Sequence, residues 1–194
     1  MTAVSETAIA NLALQKLGAA RIVSLTQDKP TARSMNACYE LIRDRELRAY
    51  VWGFAKTGAS LAADAAEPAD AFLRARAFVL PADYLRLLKP RDRRPDWLVV
   101  NHQGNVSIVT NDSAPLEIVY IARITDTTRF DAVFIDALAC KLAWHTCEEI
   151  TQSNQKKADI LAEYRISIAE ARRTNAIEKE SDEAPEDDWV TVRR

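Results

Sequence analysis

The chain has 194 residues, of which 48% are hydrophobic and 28% charged, and its formal net charge is -2. This balance is typical of a soluble globular protein and excludes a disordered chain, and no apolar run approaches the roughly 18 residues of a membrane span. A chain of this length buries about 70% of the surface that its unfolded form exposes, so it needs neither disulfides nor a structural metal to fold.

Two amphipathic helices are predicted at the start of the chain. Ser5 can cap the first, whose apolar residues recur at the three-and-four spacing of one buried face, and Gly18 supplies a stop. Asp28 and Pro30 mark the start of a longer second helix, which is expected to end near Gly53.

A region rich in strand-forming residues follows. Residues 52–70 are rich in alanine, so a strand at 56–61 and a surface loop both stay open. Five β-branched or aromatic runs then predict four or five antiparallel strands: 78–80, 84–88, 97–100, 106–109 and 116–121. A hairpin turn is expected at 101–105, with Gly104 or Asn105 in the left-handed conformation and His102 at the loop tip.

Two further helices and a tail complete the chain. Asp126 or Thr128 is expected to open a third helix, whose two adjacent apolar stripes place it inside a bundle. A fourth helix begins around Ser153 and has a single apolar stripe, which predicts a half-exposed position. The acidic residues 178–188 and the closing Trp-Val-Thr-Val-Arg-Arg predict a flexible tail.

These elements together predict an α+β fold that is mainly α. Residues 1–73 and 124–178 are expected to form a four-helix bundle, and residues 74–123 an antiparallel β domain inserted between helices two and three. Residues 179–194 are expected to form a flexible C-terminal arm.

Catalytic chemistry is not favoured by the sequence. The four glycines form no phosphate-binding array, and the two histidines, His102 and His145, lie far apart. The acidic residues of the helices alternate with arginine and lysine, which is typical of surface ion pairs. We therefore expect a binding protein rather than an enzyme, with no cofactor and no metal.

The three cysteines are expected to be structural. Their odd number, and the absence of a secretion signal at 1–7, favour synthesis in a reducing cytoplasm. Cys140, Cys147 and His145 could suggest zinc, but on a helix the two cysteines lie roughly 10.5 Å apart and the histidine points elsewhere. Buried thiols without a disulfide are the expected outcome.

Two segments are candidate interaction sites. The first is a basic run that holds Arg86, Lys89, Arg91, Arg93 and Arg94, which can be a solvated loop or a partner-docking loop.

The second candidate is the end of the chain, which can be an inert tail or an arm that orders on a partner. In the second case Trp189 is an apolar anchor and Arg193 and Arg194 are charge contacts. Residues 178–188 hold seven acids and one lysine, so the rest of the chain is mildly basic, with a net charge of about +4.

An ordered series of residues resembles the tail tubular protein A family, the head-to-tail adaptors of short-tailed and some other bacteriophages. The series is Asn-Leu-Ala-Leu-Gln-Lys-Leu-Gly at 11–18, Ile22, Ser24-Leu25, Tyr39, Arg43-Asp44, Leu47, Trp52-Gly53-Phe54-Ala55, Leu80-Pro81-Ala82-Asp83, Leu85-Arg86-Leu87-Leu88, Tyr120-Ile121, Thr125-Asp126, Phe130-Asp131, Phe134, Ala137-Leu138-Ala139 and Leu142-Ala143. The resemblance spans nearly the whole chain in the expected order.

The resemblance implies a structural virion protein at the head-tail junction, assembled as a dodecameric ring beneath the phage portal. Such a ring continues the channel through which genomic DNA passes without sequence-specific binding, and it is the platform for the distal tail protein, a nozzle or tail tube. By similarity the helical bundle faces the portal and the β loops face the distal tail.

Two sets of residues are assigned to these interfaces. We expect Trp189, Val190, Arg193 and Arg194 to bind the portal. We expect the run Lys89, Arg91, Arg93 and Arg94 to contact the distal tail or a neighbouring subunit.

The alternative function is a helical nucleic-acid-binding regulator that uses the same basic run. A steep fall of DNA affinity with salt is the signature of that function. The sequence pI of about 5.8 and the lack of a recognisable base-reading helix argue against it.

Overall fold

A computed structural model describes residues 4–66, 68, 73–90 and 97–177. Within these residues the fold is mixed α+β, with four helices and two small antiparallel sheets. The helices are α1 Glu6–Leu17, α2 Pro30–Ala49, α3 Ala132–Thr151 and α4 Asn154–Ile177. The strands are β1 Lys56–Leu61, β2 Arg76–Val79, β3 Tyr84–Pro90, β4 Trp97–His102, β5 Asn105–Thr110 and β6 Leu116–Ala122.

The ends of the first two helices follow local chemistry. The Ser5 hydroxyl accepts a hydrogen bond from the backbone N–H of Ala8, and Gly18 ends α1 with a φ of 71°. Both predictions for α1 are confirmed. Helix α2 begins at Pro30 as predicted, but it ends at Ala49, before the predicted end near Gly53.

The predicted start of the third helix is wrong. Asp126 caps only a short 3₁₀ turn over Thr127–Arg129, where its carboxylate accepts from the N–H of Thr128. Asp131 is the cap of α3 and accepts from the N–H of Val133 at 2.9 Å. Helix α3 packs against α1, α2 and α4, which explains why its sequence is apolar on two stripes.

All five predicted runs are strands, and residues 56–61 form a sixth. In one sheet the order is β1-β6-β3, and in the other it is β2-β5-β4, with every pair antiparallel. The described strands all lie between α2 and α3 in chain order.

The β4–β5 turn consists of Gln103 and Gly104, with φ values of 49° and 81°. Asn105 is already the first residue of β5, so of the two alternatives it is Gly104 that adopts the left-handed conformation. The expectation that His102 lies at the loop tip is wrong, because a two-residue turn leaves His102 as the last residue of β4, where it is buried.

The helices and both sheets share one hydrophobic core. It includes Ile9 of α1, Leu138 of α3, Phe78 of β2 and Ile121 of β6. A continuous core of this kind holds the helices and strands in one packed unit. Across the described ranges, none of the helices combines the length and the apolar character that a membrane span requires.

Candidate interaction surfaces and the helix–sheet junction

Most of the interface residues assigned from the sequence lie outside the part of the chain that the structure describes. Trp189, Val190, Arg193 and Arg194 lie outside the described residues, as do Arg91, Arg93 and Arg94. Of the predicted set only Lys89 is placed, near the end of β3, where its backbone pairs with Val119 of β6.

Four aromatic residues of the series that carries the family resemblance meet at the junction between helices and sheets. Trp52 and Phe54, which follow α2, contact Phe134 of α3 with ring centroids 5.0 and 5.1 Å apart, and Phe130 lies 5.8 Å from Phe54. The fully buried Trp52 donates its indole N–H to the Glu46 carbonyl at 2.9 Å. Edge-to-face packing of this kind fixes the angle at which the chain leaves α2.

Polar pairs fasten the same junction. The Asp44 carboxylate of α2 accepts from Nε of Arg123, just after β6, at 2.6 Å. The Asp83 carboxylate accepts from the Tyr120 hydroxyl at 3.0 Å. Burial, followed by the negative charge of Asp83, raises the pKa of Tyr120 to about 12, so this hydroxyl stays a donor at neutral pH.

A third polar contact lies where the helical part ends. Asn175, buried in the last turn of α4, donates its Nδ2 to the Val51 carbonyl at 2.9 Å, and its Oδ1 accepts from the Gly53 N–H at 2.7 Å. The nitrogen and the oxygen of the side-chain amide are therefore both hydrogen-bonded. Asn175 also lines a cleft of about 210 Å³ beside Trp52 and Phe130. The chain that follows α4 therefore starts beside the link between α2 and β1.

A charged cluster joins α1, α3 and α4. Lys16 of α1 lies 3.0 Å from the Asp136 carboxylate of α3 and 2.6 Å from the Glu163 carboxylate of α4. Burial alone would lower the pKa of Lys16, but the hydrogen bonds to Glu163 and Asp136 outweigh it, and the pKa lies above its ordinary value. The charged form of Lys16 is therefore stabilised in the fold.

Sequence analysis missed the buried lysine of α3. The Lys141 ammonium lies 4.6 Å from the centre of the Trp144 ring and 4.3 Å from that of Tyr164. The Tyr164 hydroxyl in turn donates to the buried Glu46 carboxylate at 2.8 Å. Burial lowers the pKa of Lys141, opposed by the charge of Glu46. The only sequence signal for this site was a lysine inside the apolar stripes of α3.

The three cysteines lie inside the fold. Cys38, Cys140 and Cys147 are free and buried. Burial raises the pKa of the Cys38 and Cys140 thiols, which keeps both in the neutral, weakly nucleophilic form. Throughout the described part of the chain, no three histidine, cysteine or carboxylate side chains are grouped so that they could bind a metal.

Large apolar side chains are exposed on three helices. Leu41 of α2 and Ile166 of α4 are each about two-thirds or more exposed, at 67% and 70%. On α1, the exposed Leu12 stands between two open hollows of about 330 Å³ each, one towards Val4 and the other towards Asp136. At these positions another protein could bury apolar surface against the helices.

No family model matches the chain, and no curated protein matches it.

Proposed function

We propose that this chain is a bacteriophage head-to-tail adaptor, a structural virion protein that assembles as a ring beneath the portal. The observation that carries the proposal is the junction described above. Residues that resemble the tail tubular protein A family, although distant in sequence, contact one another there: Trp52 and Phe54 with Phe134, and Asp44 with Arg123. Part of the shared pattern thus coincides with one structural joint, and this contact between distant segments supports the resemblance.

In this proposal the four helices form a bundle that faces the portal, and the loops of the β domain at 74–123 face the distal tail protein. Twelve subunits surround a channel that conducts genomic DNA without sequence-specific contacts. The run Lys89, Arg91, Arg93 and Arg94 contacts the distal tail or a neighbouring subunit. This structural role requires no catalytic group and no cofactor.

The C-terminal arm at 179–194 binds the portal through Trp189, Val190, Arg193 and Arg194. The Asn175 contacts support this role, because they give the arm a fixed starting point on the subunit. An arm that orders only on its partner makes attachment depend on that partner. Twelve arms on one ring would add their affinities by avidity.

Light scattering tests the assembly. The mass of the purified chain is measured alone and with the portal protein of the phage that encodes it. We expect a ring-sized particle, either alone or with the portal. A chain that stays monomeric and ignores the portal would contradict the proposal, and a steep salt dependence of DNA binding would then favour the nucleic-acid-binding alternative.

Variants test the two interfaces separately. Deletion of 179–194 is expected to abolish portal binding, and unchanged binding would remove the arm from the proposal. Reversal of Arg91, Arg93 and Arg94 to glutamate is expected to impair ring formation or distal tail attachment. Its control is the same charge change at three exposed helical positions, Arg33, Arg165 and Arg173.

A further inference from the structure

Strand β4 lies at an edge of its sheet. Within the described ranges it pairs with β5 on one side and with nothing on the other. The two-residue turn makes His102 and Asn105 a hydrogen-bonded pair, so the alternating residues Trp97, Val99 and Asn101 direct their N–H and C=O groups away from β5. These groups form a row that another strand could pair with.

The other sheet edges carry features that discourage strand addition. Strand β1 contains Lys56 and Gly58, and β3 has two register shifts and ends in Pro90. On the far edge of the β4 sheet, the N–H of Asp64 donates to the Ala77 carbonyl of β2 at 2.8 Å. Charges, glycine, proline and bulges are the usual means of protecting an edge.

Strand β4 carries none of these protective features in its own six residues. Its sequence, Trp-Leu-Val-Val-Asn-His, contains no lysine, arginine, acid, proline or glycine. Leu98 and Val99 are 45% and 38% exposed. An uncharged, β-branched and open edge is a site for strand addition.

The sequence carries a segment of similar residues at 189–192. Trp-Val-Thr-Val at 189–192 repeats the residue types of Trp-Leu-Val-Val at 97–100, and an aspartate precedes each. Aromatic and β-branched residues of this kind prefer the extended conformation. The segment 189–192 therefore shares the aromatic and aliphatic character of residues 97–100 of β4.

The connection to α4 favours pairing within one molecule. The eleven residues at 178–188 can span up to about 36 Å when extended, which is comparable with the diameter of a domain of this size. A tether of this length gives an effective concentration of about a millimolar, above that of a second copy in dilute solution.

We propose that residues 189–192 add to the free edge of β4 in the same molecule when no partner holds the arm. The added strand covers the exposed backbone of Trp97, Val99 and Asn101 and keeps the edge from pairing with other chains. The inference rests on the proposed function at one point only, namely that a partner of the arm at 179–194 would remove it from β4.

Cross-linking in the full-length chain tests the position of the arm. The double variant Val99→Cys/Thr191→Cys is treated with a short bis-maleimide, which accepts either strand direction, while the native cysteines are buried. The control is Val79→Cys/Thr191→Cys, because Val79 is equally exposed, at 38%, on the opposite edge of the same sheet. We expect a link within one molecule for Val99 and little for Val79. Equal linking of the two positions, or links between two copies, overturns the proposal.

Amide hydrogen exchange gives a second readout that needs no cysteine. Val190→Pro with Thr191→Pro removes the N–H groups of two adjacent residues, one of which must face β4, and Ser181→Pro with Ala184→Pro is the control in the spacer. Loss of pairing should speed exchange at Val99 and Asn101 by about fivefold or more, equivalent to one net backbone hydrogen bond of about 1 kcal/mol. Leu98 and Val100, whose N–H groups face β5, should not change.

Unchanged exchange at Val99 and Asn101 in the 190/191 variant would also overturn the proposal. Both experiments use the protein without a portal. Their failure is therefore separate from that of the proposed function, which is judged by portal binding.

Discussion

Asp44 and Arg123 lie 79 positions apart in the chain, yet the Asp44 carboxylate is 2.6 Å from Nε of Arg123. The carboxylate is one-fifth exposed and the guanidinium less than half, at 20% and 43%, so the pair is only partly screened by water. This ion pair connects the C-terminal part of α2 to the residue that follows β6, and with it a helix to the sheet.

We expect a measurable coupling between these two residues. A double-mutant cycle with Asp44→Ala and Arg123→Ala, followed by urea unfolding, should give a coupling free energy of about 0.5–1 kcal/mol. The control pair is Asp28 and Arg33, which has the same 2.6 Å separation but is 92% and 65% exposed. Its coupling should be near zero, and equal coupling of the two pairs would contradict the role given to burial.

Loss of the Asn175 side chain should destabilise the fold. Asn175→Ala leaves the Val51 carbonyl and the Gly53 N–H without their partner, and we expect a loss of about 1–3 kcal/mol in the free energy of unfolding. Urea denaturation measures it. Asn36→Ala, at an exposed position of α2, is the control and should change stability by less than about 0.5 kcal/mol. Similar effects of the two changes would show that Asn175 does not hold the end of α4.

Acid should remove the stabilisation that Asp136 provides. Burial would raise the pKa of Asp136, but the hydrogen bonds from Ser167 and Lys16 prevail and hold it below its ordinary value of 3.8. Because the folded-state pKa is the lower one, this stabilisation is present above pH 3.8 and disappears as the pH falls through the folded-state pKa.

Asp136→Asn should therefore cost stability at neutral pH, and the cost should shrink below about pH 4. We expect less than about 1 kcal/mol, since the carboxylate is half exposed. Unfolding curves recorded from neutral to acidic pH test this, with Glu170→Gln at an exposed site of α4 as the control. A cost that increases on acidification would reverse the expected sign.

Two glycines offer a comparison of backbone conformation. A Cβ at Gly104 would meet no atom within 4 Å, but its φ of 81° disfavours any residue with a side chain. We expect Gly104→Ala to cost about 1 kcal/mol. At Gly58 a Cβ would lie 3.8 Å from the Ile118 carbonyl oxygen, and the strand has no positive φ there, so Gly58→Ala should be neutral or mildly stabilising. Thermal unfolding of both variants measures these stability changes. Equal changes for Gly104→Ala and Gly58→Ala would contradict the role given to φ.

Local chemistry made part of the fold predictable. Ser5 and Gly18 bound α1 because a cap and a left-handed residue act over three or four positions. The predicted start of α3 is wrong because Asp126 and Asp131 are equally able to cap, and local sequence does not show that Asp126 is followed only by a short 3₁₀ turn.

Tertiary contacts explain what sequence patterns could not give. Lys141 is buried because Trp144 and Tyr164, the latter from another helix, cover its ammonium, and no spacing along α3 reveals the second ring. The open edge of β4 likewise depends on strand order, which the run 97–100 does not specify. The predicted binding residues at 189–194 and 91–94 lie outside the described residues, so their assignment stays a prediction.

The two hydrogen bonds of Asn175 also determine how mechanical tension would spread through a subunit. A pull on the chain beyond Ile177 acts first on the last turn of α4. Through Asn175 it then reaches the backbone at Val51 and Gly53, which leads to α2 in one direction and to β1 in the other. The two hydrogen bonds of Asn175 therefore place the first load on two parts of the fold, and not on the contact between α4 and α3 alone.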